Sequence, residues 1–157
     1  MSAIDRQCRV RVPIAAVWAL YASIDGLRAL TPSVFGLQIE TIQSPVGTSP
    51  DDLPAGSEIT LSFRPFLVGP RIRVATTITE RQHTDTTAWF VDSMDSGLFE
   101  RWEHYHLCYG DGESTIVRDR IAYRLSDRVA WLDPFVRAMI GVGLRYRHWR
   151  TRRECTP

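Results

Sequence analysis

Across the middle of this sequence, apolar residues fall at every second position in six separate runs; past Asp127 they fall at every third or fourth. A period of two makes strands with one apolar face, and a period near 3.6 makes a helix with one apolar stripe. The runs cover residues 35–41, 58–64, 71–78, 86–95, 98–109 and 114–125. Asp95-Ser96-Gly97 and Gly110-Asp111-Gly112 separate the last three and favour tight hairpins. Six strands in succession predict an antiparallel meander that has to bury one face. The segment after Asp133-Pro134, with Leu132, Val136, Met139, Gly143 and Tyr146 on one stripe, is the one large element able to cover it.

Ahead of the meander, Arg6 to Val12 alternates as a strand. Pro13 then starts a helix carrying Ile14, Val17, Trp18 and Tyr21 and ending near Asp25-Gly26. A second short helical piece, Leu27 to Leu30, stops at Thr31-Pro32, because a residue before proline is pushed out of the helical region. The expected architecture is α+β: a curved antiparallel sheet wrapped around a long C-terminal helix, with two short helices after the first strand. One domain, residues 1–157, accounts for the whole length. A bent sheet against one helix leaves a gap along their interface, which is a natural small-molecule pocket.

Nineteen Arg balance eighteen Asp and Glu, for a net charge of +1, so overall charge points to no nucleic-acid partner. Lys and Asn are absent, which weakens any argument from the choice of Arg over Lys. The balance is uneven: residues 118–157 hold ten Arg against four acids. The run Arg145 to Arg153, interleaved with Tyr146 and Trp149, reads as a solvated helix face, with an anionic partner as the other reading. No apolar run is long enough to span a membrane, and the first ten residues lack the core of a signal peptide. Three widely spaced cysteines, Cys8, Cys108 and Cys155, read as reduced thiols of a cytoplasmic protein.

The densest polar signal is Trp102-x-His104-x-His106. Alternation puts Trp102, His104, His106 and Cys108 on one strand face, and Asp119, Ile121 and Tyr123 on the matching face of the next strand. Asp92, beside Phe90, joins them from the preceding strand. Three readings stay open: an internally satisfied hydrogen-bond network, polar anchors for an apolar guest, or acid–base and metal chemistry. His-x-His supplies only two ligands and no Cys pair completes a tetrahedron, so neither metal nor cofactor is expected. Cys108 reads as a small buried hydrophobe. Gly141 and Gly143 leave room against the last helix, either for close packing or for a ligand.

The element order resembles that of the START/Bet v 1-like helix-grip superfamily (SRPBCC, polyketide cyclase/dehydrase-like), in an uncharacterised bacterial and archaeal branch. Val17-Trp18 with Leu30-Thr31-Pro32 is similar to that branch's helical opening, and Gly56-Ser57-Glu58-Ile59 to the start of its third strand. Phe90-Val91-Asp92, Gly97-Leu98-Phe99, Trp102 to His106 and Arg118 to Tyr123 resemble its closing strands, and Tyr146-Arg147 a pair in its last helix. The resemblance implies a cavity that holds a hydrophobic or amphipathic molecule, a lipid or polyketide among them, in a carrier or sensor. The expected lining is Phe63, Val74, Phe90, Trp102, Ile121, Tyr123, Val136 and Met139, with polar contacts from Asp92, His104, His106 and Asp119. A cyclase/aromatase-like enzyme moving protons through His104, His106 and Asp119 is the alternative, and a partner-binding module using the basic last helix is the second.

Overall fold

The computed structural model describes residues 1–95 and 97–156. Seven strands form one antiparallel sheet: β1 (Ser2–Val10), β2 (Gln38–Gln43), β3 (Glu58–Phe63), β4 (Ile72–His83), β5 (Thr87–Asp95), β6 (Phe99–Gly110) and β7 (Thr115–Leu125). Their order is β1-β7-β6-β5-β4-β3-β2, a meander whose last strand pairs with the first. Two short helices, α1 (Ile14–Tyr21) and α2 (Ile24–Leu30), join β1 to β2, and α3 (Asp133–Glu154) follows a short turn of 3-10 helix. This is the expected helix-grip architecture. Register shifts between Ile39 and Thr41, Ile78 and Glu80, and Phe99 and Arg101 break the ladder, and such irregularities bend strands.

Several boundaries differ from the sequence expectation. β1 starts at Ser2, because its pairing runs to Tyr123 of β7 and backbone pairing needs no side-chain alternation. β2 starts at Gln38, since Ser33–Phe35 makes a helical turn ended by Gly36 in the left-handed conformation at φ 56°. The two short helices separate at Ala22-Ser23, not at Asp25-Gly26. Ser23 caps α2, its Oγ accepting from the Gly26 N–H at 3.0 Å. A Cβ on Gly26 would sit 1.6 Å from the Leu20 carbonyl oxygen, so the turn between the helices demands glycine there. Ser96, the centre of one expected hairpin, lies outside the described residues.

The largest correction concerns α3, which runs about 33 Å at the standard rise. Val136 and Leu144 are buried, whereas Leu132, Met139 and Tyr146 are only partly so. The buried stripe continues from Val136 and Leu144 to Arg147, His148 and Thr151, three polar residues that an apolar-periodicity count does not register. Arg137, Arg145, Arg152 and Arg153 are exposed, but Arg147 of the same basic run is not. Gly143 faces the Phe35 ring, with Cβ-equivalent contact at 3.5 Å, while Gly141 faces open space.

Apolar side chains collect in two groups. One joins α1 and α2 to Val74, Ile78, Phe90, Cys108 and Val117, and the other joins Ile121, Tyr123 and Leu125 to Val136 and Leu144 of α3. Along β7 the residue between Val117 and Ile121 on this face is Asp119. A charged layer separates the two apolar groups.

Candidate functional site

The register builds the layer directly. Phe90, His106, Asp119 and Arg6 form one cross-strand row, and Asp92, His104, Ile121 and Ile4 form the next. Because residues opposite each other share a face, the Asp119 row and the His104 row both look toward α3. The helix answers with Arg147 and His148. Three of the chain's four histidines thus converge on a single carboxylate that is 0% exposed.

Asp119 Oδ1 accepts from His104 Nε2–H at 2.9 Å, and Oδ2 accepts from His148 Nε2–H at 2.7 Å. His106 Nδ1 lies 3.1 Å from Oδ1 and the Arg147 Nε 3.4 Å from it. Burial alone would push this carboxyl up. Arg147 and the N–H groups of His104 and His148 outweigh burial and hold it well below the usual carboxylate range. Asp92 is arranged alike: it accepts from His106 Nε2–H at 2.7 Å and from the Thr76 hydroxyl at 3.2 Å. Burial opposes its ionisation, but the His106 hydrogen bond and the nearby His104 and Arg147 keep it below its ordinary value.

His106 is enclosed on every side. Phe90 stacks on it at 4.0 Å, Tyr21 meets it edge-on at 6.3 Å, and the Arg147 Nη2 donates to Nδ1 at 3.2 Å. Arg147 itself lies over the Tyr21 ring at 4.5 Å, and the Tyr21 hydroxyl is 3.0 Å from Thr151 Oγ1. Both nitrogens of His106 are therefore occupied by the protein.

His104 differs. Its Nε2 is fixed by Asp119, but its Nδ1 stands 3.9 Å from Asp92 Oδ2, beyond hydrogen-bond reach. Burial, reinforced by neighbouring His106, lowers its pKa to about 4 despite the two carboxylates. The ring is thus neutral near pH 7, with the proton on Nε2 and the lone pair on Nδ1. The side chains of His104 and Asp92 are 11% and 16% exposed, against 5% for His106 and 0% for Asp119. These two are the open end of the network.

The remaining expected residues divide. Val74, Phe90, Ile121, Tyr123 and Val136 are buried within the two apolar groups. Phe63, Trp102 and Met139 are only partly buried, and Trp102 packs against Phe99 at 4.9 Å and edge-on to His104 at 6.4 Å. Arg147 and His148 were missed in the sequence. The signal was the spacing from Val136 and Leu144, which lands on 147, 148 and 151 if residue type is ignored. Cys108 is 0% exposed and burial pushes its thiol up to about 12, so it is no nucleophile at neutral pH. Ligand atoms of Asp92, His104 and His106 lie within 4.8 Å of one another, the one arrangement among the described residues suited to a divalent ion. Binding there would have to break the His106–Asp92 hydrogen bond.

No protein-family model and no curated protein sequence matches the chain. Solved structures do. TTHA0849 from Thermus thermophilus superposes with a TM-score of 0.67 at 15% identity, covering 98% of this chain and 96% of that one. Norcoclaurine synthase from Thalictrum flavum, in complex with dopamine and hydroxybenzaldehyde, gives 0.65 at 13% identity over 99% and 88%. Ara h 8.0201 gives 0.56 at 14% identity over 95% and 97%. At these identities the likeness concerns fold. The sheet order, the paired short helices and the gripped C-terminal helix give this chain the Bet v 1-like helix-grip fold.

Proposed function

We propose that the chain, acting as one cytoplasmic domain, is a carrier or sensor of an amphipathic small molecule held between the sheet and α3. The observation that carries this reading is the Nδ1 of His104, without a hydrogen-bond partner among the described residues, beside the Asp92 carboxylate at the more exposed end of the network. Partly buried Phe63, Met94, Trp102 and Met139 offer the apolar contacts. His104 Nδ1 and the Asp92 carboxylate are both acceptors, a neutral imidazole lone pair and an ionised group, while the indole N–H of neighbouring Trp102 is a buried donor with no partner among the described residues. The ligand should therefore carry a hydrogen-bond donor, a hydroxyl or an amine, on an apolar body. That norcoclaurine synthase holds dopamine and hydroxybenzaldehyde on this fold is compatible with an aromatic guest of that kind.

Proton-transfer catalysis is the second reading, favoured by the Asp119–His104 pair, which fixes a tautomer as a general base requires. Against it, a ring whose pKa is about 4 is a weak base at neutral pH. Binding fits that value better than turnover.

Native mass spectrometry of gently purified protein would reveal a co-purifying molecule. A direct test compares 2-naphthol with 2-methoxynaphthalene, which has the same rings without the donor. Binding of 2-naphthol should be at least tenfold tighter, and His104→Phe should erase the difference. Equal binding of the two probes by the wild type would overturn the reading.

A further inference from the structure

On the side of α3 facing the sheet edge lies a second feature. A cleft of about 470 Å³ is lined by Asp5, Arg6 and Gln7 of β1 and by Arg145, His148 and Arg152 of α3. Positions 145, 148 and 152 follow one another at helical spacing, so all three line the same flank of α3. Arg6 sits opposite Asp119 in the register and therefore turns inward, toward that flank.

The electrostatics of this cleft are unbalanced. None of Arg6, Arg145 and Arg152 makes an ion pair with a carboxylate among the described residues, and the Nε of Arg6 is buried with no hydrogen-bond partner. The single acid in the lining, Asp5, is already held by Arg118, whose Nε donates to it at 2.9 Å and 3.1 Å. His148 is 5% exposed, and its Nε2 is committed to Asp119. A buried guanidinium nitrogen without an acceptor is costly, and three unpaired guanidiniums around one recess repel one another. β1 is an edge strand, so its outward backbone groups are claimed by no other strand.

We propose that this cleft is an oxyanion site that takes a phosphate or phosphate-ester group. Guanidinium forks match phosphate oxygens in pairs, and a dianion would satisfy Arg6 while neutralising Arg145 and Arg152. The bound group would also lie beside His148, which shares the Asp119 carboxylate with His104. The site is separate from the His104 end of the network and does not depend on the function proposed for it.

The shared chemistry has two sources, a free phosphate ester or a lipid headgroup, and the experiment separates them. Calorimetric titrations with inorganic phosphate and with pyrophosphate, at ionic strength fixed with chloride, form one arm. Co-sedimentation with phosphatidylcholine vesicles, with and without phosphatidic acid, forms the other. Arg152→Gln and Arg145→Gln, both exposed positions, test the site, and Arg137→Gln on the same helix outside the cleft is the control. Saturable binding of the soluble anions that falls at least tenfold in Arg152→Gln, but not in Arg137→Gln, supports the site with a free ester as its source. Binding to phosphatidic acid vesicles alone, with the same variant pattern, supports it with a lipid headgroup. No saturable binding in either arm, or equal losses in Arg152→Gln and Arg137→Gln, overturns it.

Discussion

Acidification from pH 7 to pH 4 acts on His104 before it acts on either carboxylate of the network. In the folded chain this imidazole titrates at about 4, against 6.5 for an unperturbed histidine. Between those values the unfolded state binds a proton that the folded state refuses, so stability must rise with pH across the window. It is fully present above about 6.5 and is lost as pH falls toward 4. At 1.36 kcal/mol per unit, the loss approaches roughly 3 kcal/mol, a large part of the stability of an ordinary domain. Asp92 and Asp119 also lose stabilisation in acid, but their folded pKa values lie below the ordinary carboxylate value, so their contribution falls away beneath this window. Urea unfolding followed by tryptophan fluorescence at half-unit steps from pH 4 to 7.5 measures the curve. His104→Gln isolates the group, because the amide can still donate to Asp119 Oδ1 while having nothing to titrate. The wild type should lose stability relative to His104→Gln by about 1.4 kcal/mol per unit of acidification inside the window. A flat difference, or a wild type that gains stability in acid, would refute the placement of a neutral His104 in a buried network. A histidine chemical-shift titration of the folded protein gives the same pKa independently.

Removing Asp119 should do more. Asp119→Ala leaves Arg147 buried without the carboxylate it pairs with and two imidazole donors without an acceptor, and the expected loss is about 3–5 kcal/mol by chemical denaturation. Burial pushes Cys8 up to about 11 and Cys108 to about 12, so iodoacetamide at pH 8 should spare both in the native state, with mass spectrometry finding any label on half-buried Cys155 first. Two glycine substitutions should differ in sign in thermal melts: Gly26→Ala meets the Leu20 backbone and should cost more than about 2 kcal/mol, whereas Gly141→Ala meets open space in a helix and should gain up to about 1 kcal/mol. Chelator should leave the melting temperature unchanged, as no metal is needed to satisfy Asp92 and His106. Purified protein carrying near-stoichiometric zinc and melting several degrees lower in chelator would shift the reading to a metal-assisted enzyme.

The strands from β3 to β7 were legible because each has one apolar and one solvated face, and burial on one side writes that alternation into the sequence. Loop-flanked β2 and the α1–α2 break were less so. Their limits depend on a left-handed Gly36 and on the close approach of Gly26 to Leu20, contacts between residues that no periodicity encodes. His104, His106 and Asp119 stood out as polar residues on an apolar face. Arg147 and His148 did not, because a charged residue on an amphipathic helix ordinarily marks the solvent side.

The sequence by itself therefore determined the secondary elements, their antiparallel order and which residues share a strand face, since these follow from short-range periodicity and turn chemistry. Tertiary structure decided the rotation of α3 about its axis. That rotation turns Arg147 and His148 inward onto Asp119 and leaves Met139 and Tyr146 at the margin. A helix face is chosen by free energy, not by residue type. A buried guanidinium and imidazole are tolerated here because a carboxylate 15 residues beyond His104 arrives, through strand register alone, where their charge and hydrogen bonds need it.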